Sequence, residues 1–390
     1  MTIRLSVAVL IVLWPQSILP AQDNAGRFAS RMQSDDKNGD GKLTKAEFTG
    51  PNRLFQFLDD DGDGVLVLKD AAQKLQKLRT RSNDLPRERM QPQRIRRDAN
   101  RRVQPDFQNV RYGKHERHVF DIFQTKLDSP KPAPCMIWIH GGGFRRGDKS
   151  EGHLFSQAFT DNGIHFITLN YRLSQHALAP ACFHDCARAL QFIRHHAATW
   201  NIDKDRIAVG GGSAGAGMAQ WLAYHDDLAD PKAQDPILRE STQVAAVVLL
   251  NAQTSYDLRW IKEHIPGDAW KGDGLQQLFG YSINEVSQID DKKYRLIEDC
   301  SPITHLDANA PPTLFFYRRS RDPEIAVENA MDAIHHPIFG LELKKVADGL
   351  GVECEVFTIE NEKDRVFYNQ RWQYAVRFLK THFLESKSPD

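Results

Sequence analysis

Apolar, strand-like runs recur along the chain after Asp106, and longer segments compatible with helices separate them. This alternation predicts an α/β fold, with a mostly parallel sheet flanked by helices. The predicted strands are His118 to Gln124, Cys135 to Ile139, His165 to Asn170, Ile207 to Val209, Val244 to Leu250, Thr313 to Tyr317 and Cys354 to Ile359. A closing helix is predicted over Trp372 to Phe383.

Near the start of the chain, a basic residue, Arg4, precedes an apolar run from Leu5 to Trp14, and a small residue, Ala21, stands at a plausible cleavage point. A membrane-spanning helix needs about 20 apolar residues, and this run is shorter. The pattern predicts a secretory signal peptide over residues 1–21, rather than a membrane anchor. We therefore expect a secreted or periplasmic protein without a membrane span.

Between Arg79 and Pro105 the sequence is rich in arginine, is interrupted by prolines and has almost no large apolar residues. Such a segment cannot build a core. We expect residues 79–105 to be a tether that leads into an α/β domain over residues 106–385. The alternative is an arginine surface for an acidic polysaccharide or a phosphate-rich wall polymer.

Charge and cysteine content narrow the class further. The 390 residues include 51 lysines and arginines and 51 aspartates and glutamates, so net charge gives no reason to expect nucleic acid as a partner. Five cysteines cannot all pair within one chain. In a domain of this size, buried free thiols are the expected state. The oligomeric state is left open.

Residues 36–47 carry short oxygen-bearing side chains at alternate positions, with a glycine, Gly41, at the sixth. Alternating oxygens wrap a hard cation, the glycine permits a sharp turn, and a glutamate at position twelve closes the shell with two oxygens. The pattern is that of an EF-hand loop and predicts a calcium site. Its expected ligands are Asp36, Asn38, Asp40, Lys42 and Glu47.

A second loop of the same pattern spans residues 59–70, with Asp59, Asp61, Asp63, Val65 and Asp70 as expected ligands. Its twelfth residue is the shorter aspartate, so we expect weaker calcium binding or greater tolerance of magnesium. The short spacing between the loops resembles the compact EF-hand pair of exported bacterial proteins. This resemblance implies a small all-α unit over residues 27–78, and the same spacing argues against a dockerin-like docking module.

Two glycine-rich runs carry the catalytic hypothesis: His-Gly-Gly-Gly-Phe at 140–144 and Gly-Gly-Ser-Ala-Gly at 211–215. A tight turn around Ser213, between a strand and a helix, would expose its hydroxyl as a nucleophile. Backbone amides would then stabilise the oxyanion of a tetrahedral intermediate. The expected donors are Ala214 and either Gly142 or Gly143. His140 precedes the serine on another strand and is interpreted as an organiser of its loop.

With Asn-Tyr-Arg-Leu at 170–173, Asp185 before a helix and Asp-Arg-Ile at 205–207, these runs resemble the secreted esterase and lipase branch of the α/β-hydrolases. Feruloyl and acetyl-xylan esterases are the most similar in pattern. The resemblance covers about residues 106–385 and implies an α/β-hydrolase fold with a serine nucleophile that attacks carboxylic esters. It also implies that Asp322, after the strand at 313–317, is the triad acid. The alternative is a solvated aspartate paired with Arg319 or Arg321.

The general base departs from that family's pattern, which places a histidine after the last strand. Here the matching position holds Arg365, and arginine stays protonated and cannot accept a proton from serine. Only three histidines follow Asp322. His382 lies in the predicted closing helix, whereas His335 and His336 lie in the loop that leaves the acid-bearing strand. We expect this pair to supply the base, with a preference for His336; the alternative is a role in loop structure or substrate contact.

Residues 251–309 lie between two predicted strands, where this fold often inserts a cap. Trp260, Trp270, Phe279 and Tyr281 would either stack on a sugar or phenolic ring or pack the cap's own core. The sequence therefore favours an exported calcium-binding esterase that acts on small-molecule or polysaccharide esters. The competing hypothesis is a calcium-binding protein whose hydrolase domain is a catalytically silent scaffold.

Overall fold

The computed structural model describes residues 34–48, 55, 58–59, 63–71, 103–127, 131–322, 327 and 329–385. The chain divides into two compact units, residues 1–98 and 99–390. The predicted signal peptide, the predicted tether as far as residue 102, and one expected calcium ligand, Asp61, lie outside the described residues. None of the helices in the described ranges combines the length and apolarity that a bilayer crossing needs.

The described residues include ten strands and ten α-helices. The strands are β1 (Lys42–Thr44), β2 (Val65–Val67), β3 (Phe107–Arg111), β4 (Val119–Phe123), β5 (Ala133–Ile139), β6 (His165–Leu169), β7 (Ile202–Gly212), β8 (Val247–Leu250), β9 (Thr313–Phe316) and β10 (Cys354–Phe357). The helices are α1 (Ser156–Thr160), α2 (Ala181–His195), α3 (Ala214–Tyr224), α4 (Leu258–His264), α5 (Asp273–Phe279), α6 (Asp291–Cys300), α7 (Ala330–Ile334), α8 (Ile338–Leu350), α9 (Glu362–Asn369) and α10 (Arg371–Glu385).

Eight strands of the second unit form one sheet in the order β10-β9-β8-β7-β5-β6-β4-β3. Neighbours from β10 to β6 run parallel, whereas β4 is antiparallel to both β6 and β3. The mostly parallel sheet predicted from the sequence is therefore confirmed. The carboxyl ends of the parallel strands meet along one edge, where ligand sites of open α/β sheets form.

Both faces of this sheet are buried, which explains the continuous apolar runs. Successive side chains of a strand point to opposite faces. In β5, Cys135, Ile137 and Ile139 join one apolar cluster, while Met136 and Trp138 join the other. Each large side chain buried in this way stabilises the fold by roughly 1.5–3 kcal/mol. The sheet therefore holds the loops at the carboxyl ends of its strands in fixed positions.

The seven predicted strands all exist, and the closing helix is α10. The prediction missed β3, an antiparallel edge strand with mostly exposed side chains and therefore no apolar run. It also gave only the centre of β7, whose first half is polar. All five cysteines are buried and unpaired, as expected.

In the first unit, β1 and β2 form an antiparallel pair in which Leu43 lies opposite Leu66. Both leucines are buried in a small apolar cluster with Phe48, Phe55 and Leu58. Gly41 and Gly64 have positive φ angles of 75° and 81°, as the sixth residue of each predicted loop requires. The EF-hand assignment as such remains a prediction.

Candidate active site

Ser213 occupies a sharp turn between β7 and α3. Its φ and ψ angles are 53° and −121°, a conformation that L-residues rarely adopt and that costs on the order of 1–3 kcal/mol. The turn is possible because its flanks are glycines: a Cβ on Gly215 would lie 2.1 Å from the Ile139 carbonyl oxygen, and one on Gly211 would lie 2.3 Å from the Gly215 backbone. The Ser213 amide is fixed by a 2.9 Å hydrogen bond to the Leu250 carbonyl.

The second glycine-rich run lies directly beside this turn. A Cβ on Gly141 would approach the Gly212 carbonyl oxygen to 2.7 Å and Ser213 Cβ to 3.4 Å. Gly142 and Gly143 have positive φ angles of 108° and 62°. Ala214 is the first residue of α3, where a backbone N–H has no intrahelical partner. The structure therefore brings the three residues expected to form an oxyanion hole to the same edge of the sheet as the serine.

His140 is buried and fully engaged in holding this loop. Its Nδ1 lies 2.7 Å from the Gly141 carbonyl, and its Nε2 lies 3.1 Å from the Arg117 guanidinium. The ring also stacks on Tyr171. Burial lowers the pKa of His140 to about 4, so the imidazole is neutral. These contacts agree with the interpretation of His140 as an organiser.

The imidazole that contacts the serine belongs to His335. Its Nε2 lies 2.7 Å from Ser213 Oγ, a hydrogen-bonding distance. His335 is the residue after the short helix α7, and its ring also hydrogen-bonds the Met331 carbonyl one turn earlier. Burial lowers the pKa of His335 below its usual value, which favours the neutral form that can accept a proton.

The preference for His336 is wrong in this geometry. His336 is buried, and its Nδ1 accepts a 3.2 Å hydrogen bond from the Ile338 amide at the start of α8. Adjacent residues at a helix end point in different directions, so only one of the two rings can face Ser213. The turn between α7 and α8 directs His336 into the protein and His335 to the serine.

Helix α7 is tied to the sheet edge on its inner side. The Gln253 side chain donates hydrogen bonds to the carbonyls of Ile334, at 2.8 Å, and of Asn251, at 3.0 Å. Asn329 caps the helix by accepting from the Asp332 amide. These bonds hold the residue before His335 at a fixed position relative to the loop after β8.

Asp322 does not occupy the position expected of a triad acid. It is exposed, and its amide donates to Ser320 Oγ at 3.0 Å. The partners that the structure gives His335, besides the serine, are the Met331 carbonyl and the negative charge of Asp332, which raises the pKa of His335. Asp332 is itself paired with Arg319 at 2.7 Å. Sequence reasoning missed Asp332, although its spacing of three from His335 would place both near one helical face.

The other two residues considered for this region lie in different surroundings. Arg365, at the position where the family pattern has histidine, is exposed and lies 3.8 Å from Glu362. His382 is buried in α10, 3.3 Å from Glu353. Neither contact involves Ser213.

A cavity of about 430 Å³ opens over Ser213 and His335. Its apolar walls are Trp138, Phe155 and Leu250. Leu154 stands at its rim and is 88% exposed. Glu151 and Asn251 also line it, so its wall is partly polar.

The aromatic residues of the cap-like insertion pack within the protein. Trp260 stacks on His264 and on Phe339, and Phe279 is buried against Tyr256. Trp260, Trp270, Phe279 and Tyr281 all belong to the larger apolar cluster or pack against it. The structure thus favours core packing among the two roles considered for them.

A parallel sheet, a serine on a strained strand–turn–helix, an adjacent glycine-rich loop and a histidine at hydrogen-bonding distance define an α/β-hydrolase. Residues 120–335, more than half of the chain, match the BD-FAE family model. The protein belongs to that family. The matched region ends at His335.

Known proteins of similar sequence and structure agree with this class. Esterase LipC of Mycobacterium tuberculosis is 29% identical over 223 residues, which cover 57% of this chain and 52% of LipC. The chain therefore spans about half the length of that relative. The acetyl ester-xyloside bifunctional hydrolase of Caldicellulosiruptor lactoaceticus has a similar structure, with a TM-score of 0.53, 24% identity and coverage of 72% of this chain and 97% of that one.

A truncated carbohydrate esterase from gut microbiota has a TM-score of 0.55 at 20% identity, and covers 71% of this chain and 96% of its own. These structural likenesses show the fold. The family match and the similar esterases agree with this fold class.

Proposed function

We propose that this protein is a working serine esterase, with Ser213 as nucleophile and His335 as general base. The observation that carries the proposal is the 2.7 Å distance between Ser213 Oγ and His335 Nε2. In the first half-reaction the Oγ proton passes to Nε2 while Oγ attacks the ester carbonyl carbon. The amides of Ala214 and of Gly142 or Gly143 then stabilise the oxyanion.

The tetrahedral intermediate collapses as His335 returns the proton to the leaving alcohol. Water deacylates the serine by the same route, with His335 again accepting a proton. The Met331 carbonyl orients the ring, and the charge of Asp332 favours the imidazolium that forms in each step. In this arrangement Asp332 acts as a positioning residue, in place of the expected Asp322.

The substrate we propose is a short acyl ester, such as an acetyl group on a plant or algal polysaccharide. The cavity of about 430 Å³ with its three apolar walls supports a small acyl group, and its open rim leaves room for a larger alcohol moiety. Of the two structural neighbours described above, one is named a carbohydrate esterase and the other an acetyl ester-xyloside hydrolase, which supports this choice of substrate.

The test is turnover of p-nitrophenyl acetate by matched variants. Asparagine at 336 retains an oxygen where His336 Nδ1 accepts its bond from Ile338, whereas asparagine at 335 cannot act as a base. We expect His335→Asn and Ser213→Ala each to lower kcat by about 10⁴-fold or more. His336→Asn should stay within about tenfold of the parent, because it leaves the serine–histidine contact in place. Equal losses in both asparagine variants would refute the assignment.

A silent scaffold is the competing hypothesis, and the same assay decides it. A folded parent protein whose turnover equals that of Ser213→Ala on acetyl, propionyl and feruloyl esters would establish it. The three esters differ in the size of the acyl group. A protein that merely disfavours one acyl group is therefore distinguished from one whose serine does not react.

We further propose that the chain is exported and binds two calcium ions at residues 36–47 and 59–70. The described donors fit a hard cation: Asp36 accepts from the amides of Gly39 and Gly41, each at 2.9 Å, which gathers the loop around its carboxylate. Asp59 accepts from the Gly64 amide in the same way, at 3.1 Å. Glu47 accepts from the Thr44 amide and hydroxyl, so one of its oxygens also caps the turn.

A further inference from the structure

Away from the active site, two histidines and an aspartate converge on the carboxyl end of helix α3. His225 follows the last residue of α3, Asp299 lies in the last turn of α6, and His305 ends the 3-10 helix Pro302–His305. One potential ligand atom from each of the three side chains lies within 4.8 Å of the others. Nothing in the proposed ester hydrolysis uses these residues.

We propose that His225, Asp299 and His305 bind a zinc ion or a similar transition metal. Two imidazole nitrogens and one carboxylate oxygen are the donors that zinc prefers, whereas calcium and magnesium prefer oxygen ligands alone. Ligand atoms of a tetrahedral zinc site lie roughly 3.3 Å apart when the bonds are about 2.0–2.1 Å long. The separations here, of up to 4.8 Å, are longer, so binding requires the three side chains, which are exposed or half-buried, to rotate toward one another.

One nitrogen of each ring lies next to a main-chain carbonyl. His225 Nδ1 lies 3.0 Å from the Asp226 carbonyl, and His305 Nε2 lies 2.6 Å from the Asp299 carbonyl. A nitrogen that faces a carbonyl carries the proton, so the other nitrogen of each ring keeps its lone pair. Such contacts orient the ligating ring and set its tautomer.

The fold around the cluster also favours a cation. Asp299 uses its main-chain carbonyl to accept from Trp221 Nε1 at 2.8 Å and from His305, and its exposed carboxylate lies 4.0 Å from His305 Nε2. The rings of His225 and His305 lie 4.5 Å apart, centroid to centroid. The carboxyl end of a helix carries partial negative charge, which stabilises a positive ion placed there.

Such an ion would join α3 to two consecutive elements, α6 and the 3-10 helix Pro302–His305, that are distant from it in the sequence. It would connect the end of α3, the helix that begins at the nucleophile about 16 Å away, to the last part of the cap-like insertion. We therefore assign the site a structural role: the bound ion would hold the cap-like insertion against α3.

The experiment is zinc titration of the full, untagged chain by calorimetry in excess calcium, which occupies the predicted N-terminal loops. We expect one zinc per chain. Asp299→Asn preserves the main-chain hydrogen bonds and should weaken zinc binding at least tenfold, and His225→Gln should do the same. The matched control is His195→Gln, because His195 forms an imidazole–carboxylate pair with Glu240 at 3.2 Å outside this cluster. It should bind zinc as the parent does.

Thermal unfolding gives a second readout that does not depend on esterase activity. Zinc should raise the Tm of the parent and of His195→Gln, and leave the Tm of Asp299→Asn unchanged. Cobalt in place of zinc should give the visible absorption of a tetrahedral site. Absence of zinc binding, or binding and Tm shifts that survive in Asp299→Asn and His225→Gln, would overturn the proposal.

Discussion

Gly215→Ala tests how tightly the nucleophile turn is packed. The new Cβ would lie 2.1 Å from the Ile139 carbonyl oxygen, 2.5 Å from that of His140 and 2.7 Å from the Ile139 carbonyl carbon. All three are backbone atoms at the end of β5, a central strand between β6 and β7, so none can rotate away. Relief requires the turn or the glycine-rich loop at 141–143 to shift by more than half an ångström.

Overpacking of a well-packed site typically costs about 1–3 kcal/mol, and a clash with backbone belongs at or above the upper end. We therefore expect Gly215→Ala to lose about 3 kcal/mol in unfolding free energy, measured from guanidinium midpoints. Because the same shift moves the oxyanion-hole amides, kcat should fall by about 10²-fold or more, as expected when one such donor is lost.

The matched control is Gly349→Ala. Gly349 lies in helix α8, and a Cβ there would meet nothing within 4 Å. Alanine is favoured over glycine in a helix by about 0.5–1 kcal/mol, so this variant should be equal in activity and slightly more stable. Unchanged stability and kcat in Gly215→Ala would refute the close packing of the two glycine-rich runs.

Two further predictions concern charge. Because burial lowers the pKa of His335, the acid limb of the kcat/KM profile should lie below pH 6.5, with full activity above it. Asp332→Asn should move that limb to lower pH, since the aspartate raises the pKa of His335. Arg319→Gln should move it to higher pH, since the arginine lowers that pKa. Shifts in the same direction would contradict the electrostatic role given to this pair. Calcium titration should reveal two unequal sites, with Glu47→Gln abolishing the tighter one; two equal sites, or none, would contradict the loop assignment.

Local pattern was enough to predict the sheet and the serine turn. Apolar runs indicate strands that are buried on both faces. Glycine is required at 211 and 215 because a Cβ at either position would lie only 2.1–2.3 Å from backbone atoms. The exposed edge strand β3 has no such signal, because its partner is determined by the tertiary fold.

The base and its partner were harder to predict. The sequence limits the candidates for the general base to His335 and His336. Which of the two rings faces the serine depends on the turn between α7 and α8, and on the hydrogen bonds from Gln253 to Ile334 and Asn251. The acid at 322 was inferred from a family pattern that assumes a histidine after the last strand. Because the histidine instead follows α7, the groups that orient it and favour its charged form are in α7 itself: the Met331 carbonyl and the Asp332 carboxylate.

The central claim, that His335 activates Ser213, is tested most directly by covalent labelling with diethyl p-nitrophenyl phosphate. Mass spectrometry of the labelled protein should find one phosphoryl group per chain, on the peptide that carries Ser213, in the parent and in His336→Asn. In His335→Asn, with its fold verified by circular dichroism, the labelling rate should fall by about 10³-fold or more, because the hydroxyl keeps its proton. Labelling of Ser213 at the parental rate in His335→Asn would contradict the account.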